Sequence, residues 1–413
     1  MGLAVPAVGL AAMAPEALSL KSCPEISELQ VAEGDDFWNG IKSSFTVSPN
    51  IINLNNGGVS PQPIQVQNAH IRFYQYSNEA PSYYMWRILD QGRESLRAQL
   101  AKIAGCETEE IAINRNATEG LNSVIFGLNL AKGDEVILGK YDYPNMMNAW
   151  KQREKREGIV LKWVELDLPS ENPQAITDAY VAQFSSRTKV IHLTHMINWN
   201  GQILPVADIA RKARARGIEV IVDAAHSFGH IDFNIPDLEC DYLATSLHKW
   251  LCAPFGSGLL YVRKEKISNV WALLSSTEPD GPDIRKFESL GTRSFASEMA
   301  IGTAIDFHEM IGAKRKAERL TALRLYWMKQ AQSIKGLKLY TSMNPEYSCA
   351  IGVVGAEGRE LSELDQYLFN KKGIHAVAIN IEKITGMRIT PHVYTSFGDL
   401  DRLLEGLNDF VRS

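Results

Sequence analysis

The stretch Asp241-Tyr-Leu-Ala-Thr-Ser-Leu-His-Lys-Trp250 sets a short apolar strand, Tyr242 to Ala244, directly against Ser246, His248 and Lys249, and Ala253-Pro-Phe-Gly-Ser-Gly258 follows it. Among apolar and small neighbours an ammonium is desolvated, which lowers its pKa. Such an amine is suited to forming a Schiff base with an aldehyde. A lone lysine after a strand is more often a side chain that snorkels its charge to water. The reading therefore depends on what the rest of the chain delivers beside it.

Working outward, Ile221-Val-Asp-Ala-Ala-His226 puts Asp223 at the end of another apolar strand. Further strands are expected at Ile111–Ile113, Glu135–Leu138, Val160–Val164, Lys189–Leu193 and Val220–Val222. Helices are expected between them at 116–130, 145–157 and 205–216. The first carries Leu121, Val124, Ile125 and Leu128 at i, i+3, i+4 and i+7. Strands separated by helices at this spacing make an α/β fold with a mostly parallel sheet covered on both faces. In such sheets ligands bind at the carboxyl ends of the strands. Upstream, a helix of alternating charge is expected at 87–104, and Asn55-Asn-Gly-Gly58 is loop chemistry that lets backbone approach something closely.

From Ala296 a long helical stretch begins, and 335–413 reads as a smaller α+β unit that ends in a capped helix, Ser396 to Val411. The expected division is a flexible or signal-derived segment 1–24 and a segment 25–50 that packs back on the smaller unit. A larger domain over 51–295 and a C-terminal domain over 296–413 complete it.

Composition narrows the function. The chain has 413 residues, a net charge of -5, 45% apolar and 22% charged residues. It has no apolar run long enough to span a bilayer and no basic surplus for a nucleic-acid or membrane partner. Its five cysteines are scattered, without Cys-x-x-Cys, which fits neither a disulfide framework nor a zinc site. Gly2 to Ala14 is small and apolar, and Ala12-Met-Ala14 resembles a cleavage site without a basic segment before it. This is either a loose terminus of a cytoplasmic protein or the tail of a twin-arginine signal from a longer, exported precursor.

Four strand ends deliver polar residues to one edge of the sheet. Asn116-Ala-Thr-Glu-Gly120 opens a helix. Asn116 with Glu119 fits a capping box, while Ala117, Thr118 and Gly120 offer amides and a hydroxyl to a phosphate. Tyr143, in Tyr141-Asp-Tyr-Pro-Asn145, can stack on a flat ring or simply pack. Asn198 offers an amide to a phenolic oxygen. Asp223 needs a cation that no neighbour in sequence supplies, and a protonated pyridine nitrogen would supply it. An acid for a pyridinium and, 26 residues later, an amine for an aldehyde are the two protein groups that pyridoxal phosphate (PLP) calls for. A structural cap is the alternative for Asp223, and the five features together favour the cofactor.

With these motifs in place, the sequence resembles the class V, fold type I PLP enzymes, especially their isopenicillin N epimerase-like and cysteine desulfurase-like members. The resemblance runs from about Asn53 to the C-terminus and is carried by Asp223-Ala-Ala-His226 and Ser246-Leu-His-Lys249. It implies that Lys249 forms the Schiff base and Asp223 pairs with the ring nitrogen. It implies that His226 bonds the phenolic oxygen with Asn198 nearby, and that Tyr143 stacks on the ring. Thr118, Ser246 and His248 would hold the phosphate. Thr292, in Phe287-Glu-Ser-Leu-Gly-Thr292, would reach the phosphate site of a second subunit, which implies a homodimer. Arg388, in Gly386-Met-Arg-Ile-Thr-Pro-His392, matches the family's substrate-carboxylate arginine, and a guanidinium grips a carboxylate with two bonds. A surface salt bridge is its alternative role.

One departure matters. The desulfurases carry a nucleophilic cysteine shortly before that arginine, and Ile379-Asn-Ile-Glu-Lys-Ile-Thr-Gly386 has none. Cys349, beside the apolar Ala350–Val354, reads as core. The resemblance leans to epimerisation of a small amino-acid substrate at its α-carbon. Transamination, C–S lysis and ligand binding without turnover remain open, and Tyr83, Tyr84 and Arg87 are candidates for the substrate side.

Overall fold

The computed structural model describes residues 36–413, so the proposed cleavage site, the segment 1–24 and the first part of 25–50 lie outside the described residues. After a two-residue strand β1 (Ile52–Asn53) come β2 (Ile111–Asn114), β3 (Glu135–Gly139), β4 (Val160–Val164), β5 (Thr188–Thr194), β6 (Glu219–Asp223), β7 (Tyr242–Ser246) and β8 (Gly258–Val262). The last seven form one sheet in the order β4-β3-β5-β6-β7-β8-β2. Pairings from β4 through β7 are parallel, whereas β8 runs antiparallel to both β7 and β2. The connection from β7 to β8 contains only turns. Without a crossover helix, the chain can only return in the opposite direction.

Alternation along each strand feeds two cores. Ile137, Leu193, Val220, Val222 and Leu243 pack on one face with Ile209 and Ala213 of the helix Val206–Arg214 and with Leu96 and Leu100 of the helix Asp90–Ala104. Val136, Leu138, Ile221, Tyr242 and Ala244 pack on the other with Leu121 and Ile125 of the helix Ala117–Gly127 and with Trp150 of the helix Pro144–Glu157. Each such side chain contributes about 1.5–3 kcal/mol when taken from water. Period-two patterning therefore fixes which residues leave the strand ends on which side.

Downstream, β9 (Leu337–Leu339), β10 (Gly352–Ala356), β12 (Val377–Ile381) and β13 (Ile384–Ile389) form an antiparallel sheet in the order β12-β13-β10-β9. The short β11 (Ile374–His375) pairs instead with β1. Helices Ala313–Ala331, Leu361–Lys372 and Phe397–Arg412 cover this sheet through Leu323, Trp327, Leu368, Leu403 and Leu407. Ser396 and Asp399 cap the last helix reciprocally, each side chain accepting the other's amide. The helix Asp36–Ser43 and the residues after it send Trp38, Ile41 and Phe45 into a junction cluster that includes Trp250 and Cys252 as well as Phe307, Leu320 and Cys349.

The architecture is that of fold type I: a large, mostly parallel sheet with helices on both faces, and a smaller α+β unit. Two local expectations differ. The helix read at 87–104 is continuous from Pro81, with a π-helical turn at Tyr84–Leu89 before Asp90–Ala104. The expected long helix from Ala296 is broken into Phe295–Met299, Ile301–Ile311 and Ala313–Ala331, and Gly312 at φ 86° lets the chain turn between the last two.

Candidate active site

Strands β5, β6 and β7 end on one edge at Thr194, Asp223 and Ser246. There they open into a cavity of about 410 Å³, which Tyr143, His248 and Lys249 line as well. The edge also receives the N-terminus of the helix Ala117–Gly127. From β13, Arg388 reaches the same cavity. Ala117, Thr118, Asn198 and His226 complete the set, so the candidate site residues converge except Gly120, Thr292 and the trio Tyr83, Tyr84 and Arg87. Thr292 is exposed on the loop after Glu288. Tyr83 is also exposed, and the Tyr84 ring packs on Tyr76 at 4.1 Å.

The electrostatics of the cavity are unbalanced. Burial pushes the Lys249 amine down to about 8, with Asp223 opposing and Arg388 reinforcing the shift. Burial raises the Asp223 carboxyl against the stabilising effects of the Ala225 amide and Lys249. The Ala225 N–H, at 2.9 Å, is the only hydrogen bond to that carboxylate among the described residues. Arg388 donates to the Asn198 carbonyl at 2.9 Å and to Asn55 Oδ1 at 3.1 Å, and burial lowers it to about 10. Its Nε and the Asn198 Oδ1 are buried without partners among the described residues. Buried polar groups are otherwise almost always paired, so these orphans and the carboxylate of Asp223 are what a polar ligand would complete.

The helix N-terminus corrects part of the sequence reading. The Ala117 amide donates to Ser246 Oγ at 3.0 Å, and the Glu119 amide donates to the Asn116 cap at 2.8 Å. The Gly120 amide already bonds the Asn116 carbonyl. Thr118 is left to offer both amide and hydroxyl to the cavity. The Glu119 carboxylate does not close the capping box; it turns to the Arg115 amide at 2.7 Å. Gly120 serves close approach instead of phosphate contact, because a Cβ there would stand 2.7 Å from the Ala244 Cβ on β7.

Several lining residues were not singled out. Trp199, Val377 and Ile379 contribute walls, and Thr194 donates at 2.7 Å to Asp142. Burial pushes the Asp142 carboxyl up to about 7, opposed by Thr194 and the Gly139 amide. Its signal was present in Tyr-Asp-Tyr at a strand end, the same pattern that marked Asp223.

Comparison with known proteins places the chain. The family model for aminotransferase class V matches residues 52–403. This protein belongs to the class V aminotransferase family. It is 29% identical over 395 residues to the isopenicillin N epimerase of Streptomyces clavuligerus, covering 90% of this chain and 98% of that one. It is 27% identical over 343 residues to a probable cysteine desulfurase of Synechocystis, covering 79% and 77%. Its fold matches the cysteine desulfurase of Thermococcus onnurineus at a TM-score of 0.81, with 21% identity and coverage of 91% and 98%. It matches C-DES carrying glycine covalently linked to PLP at 0.80, with 20% identity and coverage of 89% and 99%.

The protein is thus a PLP-dependent enzyme, and its cavity fits that cofactor. A lysine of lowered basicity stands beside a carboxylate that has no ion-pair partner among the described residues, and both share the cavity with a helix N-terminus whose Thr118 hydroxyl bonds none of them.

Proposed function

We propose that this class V enzyme acts at the α-carbon of an amino acid and is an epimerase of the isopenicillin N epimerase type. The observation that carries the reading is the set Lys249, Asp223 and Arg388, three charged groups enclosed in one cavity with no ion pair among them. Bound PLP supplies an electron sink for the carbanion that loss of the α-proton leaves. Asp223 holds the ring nitrogen protonated. Lys249 would hold the aldehyde, and its amine has the basicity to take and return a proton near neutral pH. Arg388 fixes the substrate carboxylate through two guanidinium N–H groups. Thr118, Ser246 and His248 hold the phosphate, Asn198 and His226 bond the ring oxygen, and Tyr143 packs on the ring.

Two observations favour epimerisation over persulfide chemistry. Identity is 29% over 98% of one isopenicillin N epimerase, against 25% over 97% of the probable cysteine desulfurase of Pyrococcus abyssi. No cysteine among the described residues lines the cavity: Cys349 and Cys252 are 2% and 1% exposed, and burial raises both thiols to about 11. A buried, protonated thiol is a poor nucleophile.

The protein functions as a homodimer in this reading. Thr292 and Gly291 before it are exposed, and the neighbouring surface exposes Tyr83, Trp86 and Ile88. Light scattering that gave a monomer at micromolar concentration would end the dimer proposal.

The reaction is tested with a panel of L-amino acids in deuterated water. Deuterium at the α-carbon with loss of chirality is the expected outcome. Accumulation of a keto acid without racemisation would make the enzyme an aminotransferase, and pyruvate with a released thiol would make it a lyase.

A further inference from the structure

Behind Lys249 the chain packs a column of rings. The Trp250 indole, fully buried, lies on the His230 imidazole with centroids 3.6 Å apart and planes 16° from parallel, and is stacked with His392 at 5.5 Å. Trp250 Nε1 is 3.4 Å from His226 Nδ1, and His226 Nε2 is 3.1 Å from Lys249 Nζ.

Elementary chemistry then fixes the protons. An indole N–H can only donate, so His226 Nδ1 accepts and carries no hydrogen. A neutral imidazole must then carry its hydrogen on Nε2, the nitrogen that faces Lys249, whose nitrogen accepts from it only when it is not an ammonium. The same logic applies one layer back. The Ala350 amide donates to His230 Nε2 at 2.9 Å, so His230 Nδ1–H donates to the His226 carbonyl at 2.7 Å. Both rings are neutral. Burial holds His226 well below its ordinary value, and the charges of Lys249 and Arg388, with His230, add to that.

We propose that Trp250 is a positioning residue that locks His226 in its Nε2–H tautomer, so that a permanent hydrogen-bond donor faces the cavity beside Lys249. Trp250 does not line the cavity and touches the site only through its neighbours. A donor at this point favours an anionic oxygen over a protonated one. It also cannot take a proton from Lys249 through Nε2. The groups that face His226 are Lys249, Arg388, His230 and Trp250, and none is a carboxylate that could stabilise an imidazolium.

Two measurements on the PLP-loaded protein test this, and only the second rests on Lys249 being the cofactor lysine. Nitrogen-15 spectra of histidine-labelled enzyme are expected to show His226 protonated at Nε2 and bare at Nδ1, with protonated Nδ1 gaining population in Trp250→Phe. The pH titration of the cofactor's absorbance is expected to move up by about one unit in Trp250→Phe, as a charge-assisted donor is partly lost. His226→Gln presents an amide N–H without help from the indole, so adding Trp250→Phe to it is expected to produce no further shift. A protonated Nδ1 in the wild type would overturn the proposal, and so would an equal shift in both backgrounds. An Nε2–H tautomer that persists in Trp250→Phe with no shift would overturn it as well. If the wild type showed no lysine-bound cofactor band at all, the functional reading would fall while the spectra still decided the tautomer.

Discussion

Two regions of this molecule bury charge in opposite ways. Beneath the helix Asp90–Ala104, Glu288 accepts from Arg97 Nη2 at 3.0 Å and from the Ile113 amide at 2.6 Å, and it lies 3.1 Å from Arg93. Glu298 balances Arg93 and Arg293 in turn. Burial lowers Arg97, but Glu288 and Glu94 more than reverse this and leave it above its ordinary value. At the cavity, Lys249, Asp223 and Arg388 are enclosed without such pairing, and burial moves each of them towards its neutral form. The first network gives every guanidinium a carboxylate partner within the protein and serves the fold. The second is left incomplete, and a ligand with a cationic ring nitrogen, a carbonyl carbon and a carboxylate would complete it.

Substitutions should separate the two. Lys249→Ala is expected to leave the thermal transition close to the wild type while turnover falls by ~10,000-fold, the upper range for losing a positioned acid–base group. Steady-state rates beside a melting curve check both halves. A large loss of stability would mean that the lysine belongs to the structural kind of charge after all. Glu288→Gln should do the reverse. It removes the charge that two buried guanidinium groups share and is expected to cost about 3 kcal/mol in a urea melt, with turnover per folded molecule retained.

The sign of the pH dependence provides a third contrast. The unfolded chain keeps the Lys249 proton until about pH 10.4, whereas the folded chain releases it near 8. Between these values the unfolded state binds more protons, so the stability of the cofactor-free protein rises with pH. Relative to Lys249→Met, the gain should reach roughly 3 kcal/mol by pH 10.5 and be absent below pH 7. Denaturant melts of the two proteins across that window measure it, and parallel curves would refute the lowered pKa. The smallest effect is expected from Thr118→Val, which removes one hydroxyl at the phosphate end. PLP affinity should weaken about tenfold in an equilibrium titration, the size of a single hydrogen bond to a charged group.

What could be read from sequence follows the same division. Strands β5, β6 and β7 were legible because their apolar runs are short and end in polar residues, and those ends became the site. Strand β8 was not, because the Gly256-Ser-Gly258 turn masks the start of Gly-Leu-Leu-Tyr-Val and nothing local tells a returning strand from a crossover. The helix at 87–104 gave its alternating charge openly, yet Arg93 and Arg97 are 8% and 1% exposed. Their partner Glu288 lies 191 residues from Arg97, and periodicity carries no information about a contact at that separation. Asn55 was seen only as part of a glycine loop. Its grip on Arg388 from 333 residues away depends on β1 pairing with β11.

That grip has a mechanical corollary. Arg388 rides on β13 but is fastened to the residues following β1 and β5, so one guanidinium rivets the C-terminal sheet to the rim of the larger one. Any anion that docks on its unsatisfied Nε tightens a joint between distant parts of the chain as well as filling a crevice. Occupancy should therefore be felt as stiffness far from the chemistry, in slower amide exchange along β12 and β13.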